Sequence, residues 1–117
     1  MSEERLLQDY LNDIIESITD IKDFTHGLSF EEFIKDKKTA KAVVRSLEVI
    51  GEAVSKIPQN ILDNYPNMSW QEIKGMRNRL IHEYFGVDLE IVWQTMKEDI
   101  EPLESTARKM FSDLYGG

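Results

Sequence analysis

Apolar residues recur at steps of three and four along most of this chain, and this periodicity strongly constrains the fold. In the stretch RLLQDYLNDIIESITDIKDF, such steps predict one apolar face on a long helix. That face consists of Leu7, Tyr10, Leu11, Ile14, Ile18 and Ile21. No stretch alternates between apolar and polar residues as a half-buried strand does. We therefore predict an all-α chain, an up-and-down bundle of four to five helices.

Caps and apolar stripes predict the next elements. Gly27 ends the first helix, and Ser29 caps a short helix through FEEFIKD. Thr39 caps a third helix, TAKAVVRSLEVIGEAVSKI. The stripe that this helix buries is Val43, Leu47, Ile50, Val54 and Ile57. The segment PQNILDNYPNMS, rich in proline and asparagine, is a loop with one helical turn at Ile61 and Leu62.

Two more helices occupy the C-terminal half. Ser69 and Glu72 have the spacing of a capping box at the start of SWQEIKGMRNRLIHEYF, and we expect this helix to end at Gly86. Asp88 caps the helix LEIVWQTMKEDI. Pro102 breaks or kinks that helix, because proline lacks an N–H group, and leaves LESTARKMFSDLY as a final segment.

Length and composition fit one soluble, cytoplasmic domain that spans residues 1–117. The chain has no cysteine, which suits a reducing compartment. Its N-terminus has no apolar signal region, and no apolar run approaches the roughly 20 residues of a membrane-spanning helix. The formal charge of −8 argues against nucleic-acid or membrane binding through bulk charge. A local cationic site remains compatible with that charge.

The stretch GMRNRLIHEYFGVD is unusual for a helix that has to pack. Arg77 lies within the apolar arc of this helix. Burying an unpaired guanidinium is costly, so the arc lines a cleft or an interface, or Arg77 meets an acid such as Glu52. Asn78 and His82, four residues apart, lie at the edge of the arc. Gly75 leaves open space beside that edge.

Each of these residues also has an ordinary structural interpretation. A lone histidine at the edge of an apolar face is commonly structural, and an arginine there commonly forms an ion pair. Tyr84 alone would be a core residue. A cation, an amide and an imidazole on one helix, however, suit acid–base work on a phosphodiester. The sequence HEYF lacks the second histidine of a zinc-protease helix, and glycine-rich phosphate loops and nucleophilic serine elbows are missing.

Arg77, His82 and Tyr84 together form the pattern R-x4-H-x-Y, which resembles the HepT-like proteins of the HEPN superfamily. The segments AVVRSLEVIGEAVSKIP and YPNMSWQEIKGMRNRLIHEYFGVDLEIVW extend the resemblance over nearly the whole chain. It implies a homodimeric bundle in which the motif helices of two copies face each other across one cleft. It also implies the toxin of a type VII HEPN/MNT toxin–antitoxin system, a metal-independent endoribonuclease that acts on tRNA or mRNA.

The resemblance assigns a role to each motif residue. Arg77 stabilises the phosphorane, His82 is the general base or acid, and Asn78 supports them by orienting the phosphate or the imidazole. Tyr84 is the site of AMPylation by a minimal nucleotidyltransferase (MNT) antitoxin, which takes AMP from ATP and thereby silences the nuclease. The chain itself needs no cofactor or metal.

Two other functions are compatible with the same residues. The chain is alternatively a non-catalytic HEPN interaction module that binds a nucleotidyltransferase partner, or a purely structural helical dimer. Glu52 either holds Arg77 or pairs with Lys56. One dense basic cluster either extends the path of the RNA or is a solvated helix start; it consists of Lys37, Lys38, Lys41 and Arg45.

Overall fold

The structure is a computed structural model that describes residues 6–82 and 88–116, with the backbone alone for residues 77–82. Seven helices and no strand lie in these ranges, so the prediction of an all-α chain is confirmed. Five helices have ten residues or more and correspond to the four to five predicted. The helices are α1 (Leu7–Thr25), α2 (Phe30–Lys35), α3 (Lys37–Ser55), α4 (Gln59–Leu62), α5 (Trp70–His82), α6 (Leu89–Glu98) and α7 (Ile100–Tyr115).

The core is centred on α1 and α3, through the apolar faces that the sequence predicts. On α1, the fully buried side chains are Leu11, Ile14, Ile18 and Ile21. The predicted stripe of α3 and the turn after it is also buried, namely Val43, Leu47, Ile50, Val54 and Ile57. Removing such a side chain from water stabilises the fold by about 1.5–3 kcal/mol. Leu7 and Tyr10 are half-buried and pack against the edge of this core.

Ion pairs fix the direction of α7 relative to α1. Lys22, near the end of α1, lies 2.5 Å from a carboxylate oxygen of Glu101 and 2.6 Å from one of Glu104, in the first turns of α7. The two helices pack against each other and therefore run in opposite directions. The hydrogen bond from Lys22 holds the pKa of Glu104 below its usual value. This contact is therefore strongest when Glu104 is ionised.

The segment that leads into α5 contacts α7. The Tyr65 hydroxyl donates a hydrogen bond of 2.7 Å to Asp113 near the end of α7. Glu72, in the first turn of α5, acts electrostatically on Asp99, just before α7 begins. The chain from Tyr65 to Glu72 therefore leads from the end of α7 toward its start, so α5 runs opposite to α7. Along the sequence, α3 begins shortly after the end of α1 and ends shortly before Tyr65, so it runs in the same direction as α7. Helices α3 and α5 therefore run in opposite directions, and they pack together.

Two predicted caps are confirmed. The Ser29 hydroxyl accepts the Glu32 N–H at 3.1 Å, and the Glu32 carboxylate accepts the Ser29 N–H at 3.0 Å. At the start of α6, the Asp88 carboxylate accepts the N–H of Glu90 at 2.9 Å. Gly27 follows the end of α1 with a φ of +77°, in the left-handed region that glycine adopts without strain.

Two predicted boundaries differ from the structure. Thr39 does not cap α3; the helix begins at Lys37, and the Asp36 carboxylate accepts the Thr39 N–H at 3.0 Å and its hydroxyl at 2.7 Å. The break before α7 falls at Asp99 rather than at Pro102. Pro102 lies in the first turn of α7, where N–H groups have no partner within the helix, so a missing one costs nothing.

Candidate functional site on helix α5

Helix α5 carries three of the four motif residues. Its backbone places Arg77, Asn78 and His82 in the last two turns, within about 8 Å along the axis. The side chains of these residues, all of Tyr84 and the predicted helix end at Gly86 lie outside what the structure describes. The roles assigned to the motif side chains therefore remain predictions.

Contacts at its first turn anchor α5. Trp70 is buried, and its indole N–H donates a hydrogen bond of 2.9 Å to the carbonyl oxygen of Tyr65. The helix begins directly after Ser69, as the sequence SWQE predicts, and the Ile73 N–H bonds the Ser69 carbonyl at 3.1 Å. Ile73 and Met76 pack against the core. This attachment fixes the position of the helix that leads to the motif.

One edge of α5 is open. Gln71 is exposed, and a Cβ added at Gly75 would meet no atom within 4 Å. This confirms the open space that the sequence predicts beside Gly75. In helical register, Asn78 follows Gln71 by seven residues and His82 follows Gly75 by seven, so all four lie along the same edge. The described start of this edge is free for a close approach by another molecule.

A groove lies on a different side of α5, between α3, α5, α6 and α7. Its volume is about 270 Å³. Leu47, Ile73 and Met76 contribute apolar surface, and Glu72 and Asp99 lie at its rim. Partial burial raises the pKa of Asp99, and the charges of Glu98 and Glu72 raise it further. Two acids make this groove a poor site for a phosphate.

Sequence patterns do not reveal this groove, because its lining comes from four separate elements. Glu72 and Asp99, for example, are 27 positions apart. A charged residue in the first turn of one helix and another at the junction of two others are each ordinary on their own. Only the fold, which places the start of α5 and the start of α7 around one groove, brings the two carboxylates together.

The other residues that the sequence analysis singled out lie on α3. Lys37, Lys38, Lys41 and Arg45 are all exposed in its first half, and Glu52 is exposed in its last turns. Among the described residues, no group of three or more histidine, aspartate or glutamate side chains is placed to hold a metal ion. None of the described helices is long and apolar enough to cross a membrane.

The fold and the site define a small helical protein with a candidate acid–base site at the end of one helix. Comparison with known proteins gives the family. A family model described as "Ribonuclease HepT-like" matches residues 14–110. The chain belongs to this HepT-like ribonuclease family.

Relatives from archaea and bacteria match over most of their length. A protein of Thermococcus cleftensis named as a probable ribonuclease HepT is 47% identical, over 92% of this chain and 97% of its own. A protein of Methanocaldococcus jannaschii, provisionally named an RNase, is 46% identical over 97% of this chain and 93% of its own. Another, from Caldanaerobacter subterraneus, is also provisionally named an RNase, and it is 42% identical over 86% of this chain and 90% of its own. No solved structure matches the chain.

Proposed function

We propose that this protein is a metal-independent endoribonuclease, formed by one domain of residues 1–117 and active in the cytoplasm. The observation that carries the proposal is the placement of Arg77, Asn78 and His82 in two turns of α5, in a chain of the HepT-like ribonuclease family. A cation, an amide and an imidazole are the groups that RNA cleavage without a metal requires.

In the proposed reaction, the ribose 2′-hydroxyl attacks the adjacent phosphorus. His82 removes the hydroxyl proton as general base, and Arg77 stabilises the negative charge of the phosphorane. The 5′-oxygen of the next nucleotide leaves and takes a proton from an imidazolium, so the products are a 2′,3′-cyclic phosphate and a 5′-hydroxyl. Asn78 orients the phosphate or the imidazole. The substrate is tRNA or mRNA.

The active form is a homodimer in which the α5 helices of two copies face each other. The open edge at Gln71 and Gly75 supports this arrangement, because side chains of the same chain do not cover it in the described part of α5. The dimer gives Arg77 a polar cleft to occupy, and so avoids burying an unpaired guanidinium. Two copies of the motif then form one composite site.

The protein is the toxin of a type VII toxin–antitoxin system. A minimal nucleotidyltransferase antitoxin uses ATP and transfers AMP to the hydroxyl of Tyr84, releasing pyrophosphate. The new phosphodiester is bulky and negatively charged, and Tyr84 lies seven residues after Arg77, two helical turns further if the helix continues. It therefore repels the phosphate of an incoming RNA and blocks the cleft.

A second function is favoured by the charge of the chain. The formal charge of −8 and the two acids of the groove beside α5 both repel RNA. These observations suit a non-catalytic module that binds a nucleotidyltransferase partner. Such a module binds the partner as tightly after His82→Ala as before it.

A cleavage assay separates the two functions. The purified chain is incubated with a tRNA pool and with mRNA, in EDTA, and the products are mapped by sequencing. The nuclease proposal predicts cyclic phosphate ends, and at least 100-fold slower cleavage by His82→Ala with unchanged helix content. The matched control is His26→Ala, because His26 is the only other histidine and is exposed after α1. Cleavage that persists in His82→Ala contradicts the catalytic assignment.

Intact-protein mass spectrometry tests the switch. The chain is expressed alone and together with its nucleotidyltransferase partner. We expect a mass increase of one or more AMP units after co-expression, mapped to Tyr84 and lost in Tyr84→Phe. We also expect Tyr84→Phe to remain an active nuclease in the presence of ATP and partner. Inhibition of this variant by the partner would show control by binding rather than by AMPylation.

A further inference from the structure

Positive charge is concentrated in one short part of this acidic chain. Residues 35–45 contain five lysines and arginines and one aspartate, a net charge of +4 in a chain whose total is −8. Four of these cations lie on one face of α3, opposite its buried stripe. We call this face the basic strip; it consists of Lys37, Lys38, Lys41 and Arg45.

The charges of the basic strip are available to a ligand. In the described ranges, none of the ion pairs involves Lys37, Lys38 or Lys41. Arg45 lies 3.4 Å from Glu48, but its side chain is 70% exposed, so the pair is weak. The neighbouring Asp36 carboxylate is engaged mainly by the amide and hydroxyl of Thr39, and Lys38 acts on it more weakly through its charge.

Helix stability does not explain the basic strip. The N-terminus of a helix carries partial positive charge, so acids stabilise its first turn and cations destabilise it by about 0.3–1 kcal/mol each. The first turn of α3 has no acid beyond the cap at Asp36, and it contains Lys37 and Lys38. Two lysines thus lie where they oppose the helix dipole. A negatively charged ligand at this end of α3 would be attracted by the lysines and the dipole together.

The geometry of the basic strip suits a chain of phosphates. Lys37, Lys41 and Arg45 follow each other at four-residue steps, so they form a row about 12 Å long with steps of about 6 Å. Neighbouring phosphates in an extended nucleic-acid strand are separated by a similar distance. Long, exposed lysine and arginine side chains contact phosphates without reading the bases.

The basic strip lies at the correct end of the molecule for the candidate site. Helices α3 and α5 pack together and run in opposite directions. The direction of α5 follows from two contacts: Tyr65 bonds Asp113 near the end of α7, and Glu72 acts on Asp99 just before α7 begins. The first half of α3 therefore lies at the end of the molecule toward which α5 leads. That end of α5 carries Arg77 and His82.

We propose that the basic strip binds the sugar–phosphate backbone of the RNA substrate and leads it to the cleft at the end of α5. This inference rests on the proposed ribonuclease function and adds to it a substrate-binding surface outside the motif. The contacts are to phosphates, so the basic strip raises affinity for RNA of any sequence. The cleft at the end of α5 then determines which bond is cleaved.

The test is the salt dependence of RNA binding. Fluorescence anisotropy with a labelled single-stranded RNA is measured between 50 and 200 mM salt, in a His82→Ala background that prevents cleavage. The double variant Lys37→Gln/Lys41→Gln is compared with the control Arg108→Gln/Lys109→Gln. Both remove two exposed cations, but the control pair lies on α7, where Arg108 and Lys109 pair with Glu104 and Asp113.

Counterion release gives the expected size of the effect. Each lost phosphate contact to a single strand lowers the slope of log K against log salt by about 0.7. The strip variant should therefore lose about 1.4 from the slope, and bind roughly 60-fold more weakly at 50 mM salt and roughly tenfold more weakly at 200 mM. The control should keep the parental slope. Circular dichroism should show intact helices, because both residues are exposed and Lys37 is a cation that opposes the α3 dipole.

Three other outcomes overturn the proposal in different ways. An unchanged slope in the strip variant shows that RNA binds elsewhere, and leaves the nuclease proposal intact. An equal loss in the control shows a general charge effect instead of a specific surface. If the parent binds no RNA and the natural chain cleaves none, both this inference and the proposed function fail.

Discussion

Two substitutions at Gly75 test the stability of the folded chain and the proposed role of its open edge independently. Glycine inside a helix costs about 1 kcal/mol relative to alanine, and a Cβ at Gly75 would meet no atom within 4 Å. We therefore expect Gly75→Ala to raise the free energy of unfolding of the protomer by about 1 kcal/mol. For a domain of this size, this corresponds to roughly 3–6 °C in melting temperature.

The larger variant Gly75→Leu tests the proposed dimer. Leucine is nearly as good a helix former as alanine, so the protomer should remain folded. Its side chain would, however, occupy the space in which we propose that a second α5 helix approaches. We expect at least a tenfold weaker dimer and a matching loss of RNA cleavage. The assays are urea unfolding followed by circular dichroism, and sedimentation over a range of protein concentrations.

Ser105→Leu is the control for these variants. Ser105 is exposed on α7, so this substitution adds a leucine to a surface away from α5. It should leave the dimer and cleavage unchanged. A loss of stability in Gly75→Ala would refute the reasoning that the space is open. A Gly75→Leu chain that dimerises and cleaves like the natural one would refute the placement of the interface on this edge.

Two further predictions concern the fold itself. Phe33 is fully buried against Trp93, with ring centroids 5.2 Å apart, so Phe33→Ala should lower the free energy of unfolding by about 3–5 kcal/mol in urea titrations. Glu104→Gln should lower it by up to about 1 kcal/mol at pH 7, because it weakens the partly exposed contact with Lys22. Since that contact lowers the pKa of Glu104, its contribution is fully present above pH 4.5, the usual pKa, and is lost as pH falls through the lowered value. Unfolding of both chains at pH 7 and pH 3 measures the difference, which should shrink at pH 3.

The sequence predicts the helices well because local patterns determine them. Steps of three and four identify the buried faces of α1 and α3, and the turn at Ile61 and Leu62 appears as α4. Errors fall where two residues compete for one role. Asp36 and Thr39 are both good caps three positions apart, and the aspartate takes the position because its carboxylate can accept both the amide and the hydroxyl of Thr39.

The candidate site is only partly predictable from sequence. The composition of α5 and the space at Gly75 follow from helical register, since residues three, four and seven apart share an edge. The groove at Glu72 and Asp99 does not, because its lining depends on how the fold places α5 and the start of α7 around it. The position of the basic strip relative to α5 likewise depends on the antiparallel packing of α3 and α5.

The distribution of charge is compatible with the proposed action of this acidic chain on RNA. At physiological salt the Debye length is about 8 Å, so exposed acids farther than this from a phosphate repel it only weakly. A phosphate at the basic strip, by contrast, would contact lysines directly. The acids at Glu72 and Asp99 lie on the side of α5 that faces the groove, away from its open edge. The formal charge of −8 therefore opposes RNA binding at short range over most of the surface, while the local cations of the basic strip still attract a phosphate.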